Sequence, residues 1–134
     1  MGERLTLRAF VVWLVLIGVE IAHGVARALW LVPITGDFRA RQIGVLTGSI
    51  LNFAVAALFI GWIRPGSARA AWQVGIAWLA LTVAFEVLFG RLVARASWSR
   101  IGSDYDLLHG GLLPFGLLLL TLAPLLTAKW RHVL

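Results

Sequence analysis

Residues 9–32 read AFVVWLVLIGVEIAHGVARALWLV, a nearly unbroken apolar run that carries three ionisable side chains, Glu20, His23 and Arg27. A bilayer hydrocarbon core about 30 Å thick needs roughly 20 mostly apolar residues per helical span, and this run is long enough to cross it. At about 100° of rotation per residue the three ionisable groups fall within an arc of roughly 60°. They form one polar stripe that must face other helices rather than lipid. Three further apolar segments follow, at about residues 40–63, 70–93 and 105–128, separated by short polar breaks. The fold class is therefore an all-α integral membrane protein, a four-helix transmembrane bundle, with residues 1–134 forming a single four-span domain.

Composition agrees. Hydrophobic residues make up 60% of the 134, charged residues 13%, and the mean hydropathy is +0.91, outside the range of ordinary water-soluble domains. With no cysteine, disulfides, thiol redox pairs, thiolate zinc sites and cysteine-held iron–sulfur clusters are excluded. The net charge of +6 does not mark a nucleic-acid partner, because the arginines are scattered at the ends of apolar spans and form no soluble basic face. The start MGERLTLRAFVVWLVLIGV has the basic opening of a signal peptide, but the apolar run continues past Glu20 without a small-residue cleavage site and reads as an uncleaved first helix.

Four spans put the amino terminus, the middle turn IRPGSARAA and the carboxyl terminus on one side, with Arg4, Arg8, Arg64, Arg69, Lys129 and Arg131. Arg39, Arg41, Arg95 and Arg100 mark the other side once Arg27 and Arg91 are treated as bundle residues. The excess of basic residues beside the termini predicts a bacterial inner-membrane protein with cytoplasmic N and C termini. Trp62, Trp72 and Trp130 mark one interface, and Trp30, Trp98 and Tyr105 the other.

The two halves echo each other. Glu20 and Gly24 recur 66 residues later as Glu86 and Gly90, while Asp37, Gln42 and Gly44 recur after 67 residues as Asp104, His109 and Gly111. Such a repeat predicts two tandem hairpins related by a pseudo-two-fold axis along the membrane normal. Gly44, Gly48 and Asn52 form a small-residue stripe suited to close helix contact. Asp37 and Asp104 precede the second and fourth spans as expected helix caps, and Ser103 and Asp106 have capping-box spacing. Pro114 and Pro124 predict a kink in the fourth span.

The polar groups within the spans are one-sided. The half nearer the termini holds no ionisable residue, whereas the other half holds Glu20, His23, Arg27, Asp37, Arg39, Arg41, Gln42, Glu86, Arg91, Arg95, Asp104, Asp106 and His109. A conducting path needs polar groups through the full thickness, because a lone charge in hydrocarbon costs several kcal/mol or more. A channel or carrier acting within one protomer is thus disfavoured, although a path between protomers of a homo-oligomer is not. On the charged side six arginines face five carboxylates, and this surplus predicts an outward-facing intramembrane site for an anionic small molecule, a lipid headgroup or a membrane partner subunit. Glu20 with Arg91 or Arg95, and Glu86 with Arg27, are the expected cross-bundle pairs.

Two alternatives stand beside that reading. The charges can be a structural staple that fixes helix register through arginine–carboxylate pairs. The spacing Glu20-x-x-His23, with His109, can instead belong to a haem or metal protein, or to a membrane-embedded enzyme acting on a lipid-like substrate with glutamate or histidine as general acid or base. The second half reads EVLF where a second Glu-x-x-His belongs, so the di-iron pattern is incomplete and no metal set is assigned. No nucleophile elbow, phosphate loop or dinucleotide fingerprint occurs.

Overall fold

The computed structural model describes residues 2–134, and among them the ordered elements are all helical. Helix α1 (Glu3–Ala26) runs through a π-helical turn (Arg27–Leu31) into a short α2 (Val32–Thr35). Helix α3 spans Asp37–Ile63 and α4 spans Ala68–Leu92. A short α5 (Trp98–Tyr105) and a 3-10 turn (Leu107–His109) precede α6 (Leu113–Trp130). Four stretches are long and apolar enough to cross a membrane: Glu3–Thr35, Asp37–Ile63, Ala68–Leu92 and Leu113–Trp130. The chain is an all-α integral membrane bundle.

The fourth span differs most from expectation. It begins at Leu113 instead of residue 105, because Gly110 adopts φ +94°, a left-handed conformation that ends the preceding turn. Gly111 then packs its bare Cα against the backbone of Ser103 and Asp104, where a side chain has no room. Pro114 falls in the first turn of α6, where its missing N–H costs nothing and no kink results; only Pro124 lies inside the helix. The expected aspartate caps also differ. Gly36 and Leu112 occupy the N-cap positions of α3 and α6 without side-chain caps. Serines do cap elsewhere: Ser67 accepts a hydrogen bond from the Ala70 amide, and Ser97 from the Arg100 amide, each at 3.1 Å.

Around the bundle the long helices follow the order α1, α3, α6, α4 and back to α1. Their dry core occupies the half nearer the termini and includes Val12, Trp13, Ala56, Ile60, Val74, Trp78 and Leu120. Two indoles tie α1 to α4. Trp13 donates to the Thr82 hydroxyl at 3.0 Å, and Trp78 donates to the Ala9 carbonyl at 2.9 Å. Helix α4 lies close against α6 at Gly75, whose ideal Cβ would collide with the backbone of Thr121. Without a hydrophobic driving force between helices in lipid, such close backbone contact and interhelical hydrogen bonds supply the cohesion. Leu14, Ile50, Leu58, Leu88 and Leu118 face outward, as a lipid-exposed surface requires.

At the terminal end Arg8 donates to the Trp62 carbonyl at 2.6 Å, and Arg131 donates to the Ala57 carbonyl at 2.5 Å. The Gly66 amide also reaches the Val133 carbonyl. Both termini and the α3–α4 turn therefore share one end of the bundle, and α5 with the opposite turns occupies the other.

Candidate functional site

At the α5 end the helices no longer close on one another. Helix α5 lies across the bundle opening, and Arg100, Ile101, Asp104 and Tyr105, spaced to share one helical face, are turned into it. Here twelve of the thirteen sequence-predicted residues separate into three groups, and His23 stands apart, packed against α3.

The first group forms a rim of ion pairs that ties α3 to α5. Arg41 donates from Nε to Asp37 at 3.1 Å and from one Nη to Asp104 at 2.6 Å, and it also bonds the Ser103 hydroxyl at 3.0 Å. Its side chain is only 12% exposed, and its guanidinium stacks over Phe38 at 5.2 Å. Arg100 holds the same Asp37 carboxylate with both Nη atoms. That bond raises the Arg100 guanidinium above its ordinary value. Gln42 donates to the Gly110 carbonyl at 2.8 Å, fixing the turn before α6. These aspartates are partners of arginine rather than the expected helix caps.

The second group lines a cavity of about 210 Å³ inside the rim. Glu20 and Arg27 reach it from the first span, Glu86 from α4, and Ser49 and Asn52 from α3. Among the described residues none of Glu20, Arg27 and Glu86 forms an ion pair within 4.0 Å. The expected pairs of Glu86 with Arg27, and of Glu20 with Arg91 or Arg95, are thus not made. The Tyr105 hydroxyl is buried in the cavity wall with no hydrogen-bond partner. Burial, reinforced by the Glu86 and Asp104 carboxylates, pushes its phenol above the ordinary value, so Tyr105 remains an O–H donor.

Local sequence explains how α1 delivers its charges. The glycines of α3 make room for side chains rather than for a neighbouring backbone: a Cβ at Gly44 would stand 3.1 Å from Arg27 Cδ, and one at Gly48 would stand 3.6 Å from His23 Cε1. A π-helical turn, a rare element found frequently at functional sites, starts at Arg27. His23 fills this groove with its Nε2 bonded to the Thr47 hydroxyl at 2.6 Å, and it does not line the cavity.

The third group is peripheral. Arg39 and Arg95 are exposed. Arg91 stacks over Trp98 at 4.5 Å and donates to the Ala96 carbonyl at 3.0 Å. Asp106 and His109 pair with each other at 2.7 Å, with the His109 side chain 81% exposed. His23 and His109 therefore do not meet across the cavity, and among the described residues no group of three histidine, aspartate or glutamate side chains converges as a metal set.

Sequence reasoning placed Tyr105 in an interfacial belt, counted Arg100 only as a basic residue of the outer side, and passed over Ser49. The signal for the first two was the period of WSRIGSDY, residues 98–105, whose polar face at Arg100, Asp104 and Tyr105 belongs to a separate short helix. Chemically, beside the ion-paired Arg41, Arg100 and Asp104 of its wall, the cavity offers the unpaired Glu20 and Glu86 carboxyls, the Arg27 guanidinium, the Tyr105 phenol and the Asn52 amide. No family model, curated protein or solved structure matches this chain.

Proposed function

We propose that this chain is a bacterial inner-membrane binding protein whose cavity, opening away from cytoplasmic termini, takes up a small polar molecule or a lipid headgroup. The observation that carries the reading is the separation of charge into two tiers. The rim arginines and aspartates neutralise one another, as a staple would, but Glu20, Arg27 and Glu86 line open space without ion-pair partners. A charge buried in low dielectric without a partner is expensive and is retained where water or a ligand completes it. The cavity of about 210 Å³ has room for several waters. It is smaller than the pockets of about 300–1,000 Å³ that enclose drug-sized molecules, which favours a compact ligand. The excess of basic residues beside the termini supports the orientation, and the paired recurrence of Glu20 and Glu86 on the two sides of one cavity supports descent from a repeated hairpin.

The absence of cysteine makes the test direct. Asn52→Cys is expected to react with a small hydrophilic thiol reagent added from the side opposite the termini. Leu46→Cys, on the lipid-facing surface of the same helix, is expected to stay inert, and Ser67→Cys, in the terminal-side turn, to react only from the cytoplasm. An Asn52→Cys as unreactive as Leu46→Cys means a dry charge cluster and overturns the reading.

A further inference from the structure

The charge count inside the cavity identifies what it is built to hold. Its carboxylates and guanidiniums divide into those already satisfied and those that are not. Arg41 and Asp104 satisfy each other, and Arg100 is taken by Asp37. Three ionisable groups remain without an ion-pair partner, the Glu20 and Glu86 carboxyls and the Arg27 guanidinium, so by formal count the unpaired carboxyls outnumber the guanidiniums by one. The arginine surplus of the sequence does not reach the ligand, since it is consumed in the rim or turned outward at Arg39, Arg91 and Arg95.

We infer that the cavity binds the ammonium group of a small amine, seated between Glu20 and Glu86, and this rests on the reading of the cavity as a ligand site. With both carboxyls ionised around it, one ammonium brings the unpaired set to neutrality, Arg27 balancing the second carboxylate. An anion would make it doubly negative, and a neutral ligand would leave the imbalance in place. The two carboxyls come from α1 and α4. The indole bonds and the Trp13–Phe85 edge contact that link them involve residues 9–13 and 78–85, and Glu20 and Glu86 lie beyond, facing the opening. The remaining wall suits a protonated amine. Phe89 supplies an aromatic surface, which attracts cations. The oxygens of Asn52 and Ser49 can accept N–H bonds, while the unpartnered Tyr105 hydroxyl can donate to an acceptor oxygen elsewhere on the ligand. An amino alcohol combines an ammonium with such an oxygen at a size compatible with 210 Å³. The same ammonium chemistry occurs free in solution and in the headgroup of an amino-phospholipid.

The test uses the full chain in a neutral maltoside detergent. Binding is measured by calorimetry and thermal shift for ethanolamine, for ethylene glycol as its uncharged counterpart, and for acetate and inorganic phosphate as anions. Ethanolamine is expected to bind saturably, ethylene glycol and the anions at least tenfold more weakly. Glu86→Gln and Glu20→Gln are each expected to weaken ethanolamine at least tenfold, while Glu3→Gln, outside the cavity, leaves it unchanged. Should the glutamine variants not fold, the ranking of the four probes on the wild-type chain still decides the matter. A second arm reconstitutes the protein with phosphatidylethanolamine or with phosphatidylglycerol. Stabilisation by the former and not by free ethanolamine assigns the ammonium to a lipid headgroup, and the reverse assigns it to a soluble amine. Phosphate or acetate binding in preference to either amine source overturns the ammonium inference and leaves the cavity a ligand site. A cavity closed to every probe, with Asn52→Cys unreactive, overturns both.

Discussion

Arg41 and Asp104 meet at 2.6 Å across 63 residues of sequence, and their bond fastens α5 to the first turns of α3. The arginine is almost enclosed and the aspartate is 31% exposed. Breaking such a pair belongs between the surface value of about 0–1 kcal/mol and the buried value of about 3–5 kcal/mol. Arg41→Ala should therefore destabilise the outer half of the bundle by about 2 kcal/mol and free residues 98–105. Hydrogen exchange checks this. Amides of α5 should exchange faster in Arg41→Ala than in the wild type, while those around Trp78 keep their protection. Equal protection of α5 in both proteins would show that the rim is not what holds it. Arg41→Lys retains the charge but loses the fork that reaches Asp37, Asp104 and Ser103 together, so it should recover only part of the loss.

The rim also shows what could and could not be read from the chain. Apolar length predicted four spans because the requirement of the hydrocarbon core is local to each helix, and residues 40–63 and 70–93 lie close to the observed Asp37–Ile63 and Ala68–Leu92. The fourth boundary failed because hydropathy does not register backbone geometry: Gly110 at φ +94° and the packing of Gly111 on α5 separate WSRIGSDY from the span. The polar tier at Glu20, Glu86 and Asp104 was visible as residues, but its division into satisfied and unsatisfied charge was not. Helical spacing states which side chains share a face, and it is silent on which of two facing helices an arginine will choose. Arg41 takes a second aspartate, Asp104 of α5, while Arg27 lines the cavity without an ion-pair partner.

Gly75 and Gly18 should respond oppositely to alanine. A Cβ at Gly75 would overlap the carbonyl of Thr121, and a backbone oxygen cannot rotate aside as a side chain would, so α4 and α6 must separate. Overpacking of this kind costs about 1–3 kcal/mol and more where the collision is with backbone. Gly18 has nothing within 4 Å of the same position, and there alanine gains helix propensity of about 1 kcal/mol in the water-based scale. Thermal unfolding in detergent should show Gly75→Ala falling well below the wild type, with Gly18→Ala at or above it. A Gly75→Ala protein of unchanged stability would mean that the helices do not approach as closely as described.

The Trp13 and Trp78 indoles offer a graded test of the dry half. Trp78 is fully buried, and its N–H satisfies the Ala9 carbonyl. Trp78→Phe keeps an aromatic ring but forfeits that hydrogen bond, for an expected loss of about 1–2 kcal/mol. Trp78→Ala adds a cavity and should cost about 3–5 kcal/mol. Because neither Trp13 nor Trp78 lines the cavity, the Phe variant should leave amine binding at the opposite end unchanged. Loss of stability and of binding together in Trp78→Phe would show that the two halves are not energetically separate.

Tyr105 is the single tyrosine of the chain, so its titration can be followed by tyrosinate absorbance without a second phenol to confuse it. Burial raises its value, and the nearby Glu86 and Asp104 carboxylates raise it further, whereas the unfolded chain should titrate near the ordinary value of about 10. The folded state therefore holds the phenolic proton more tightly than the unfolded state. The resulting stabilisation is fully present below about pH 10 and is lost as pH rises through the folded value. Tyrosinate should accordingly appear at higher pH in the folded protein than in the denatured chain, and the decline of unfolding stability above pH 10 should shrink in Tyr105→Phe. A folded phenol titrating at or below the denatured value would place the Tyr105 hydroxyl in water and remove it from the cavity wall.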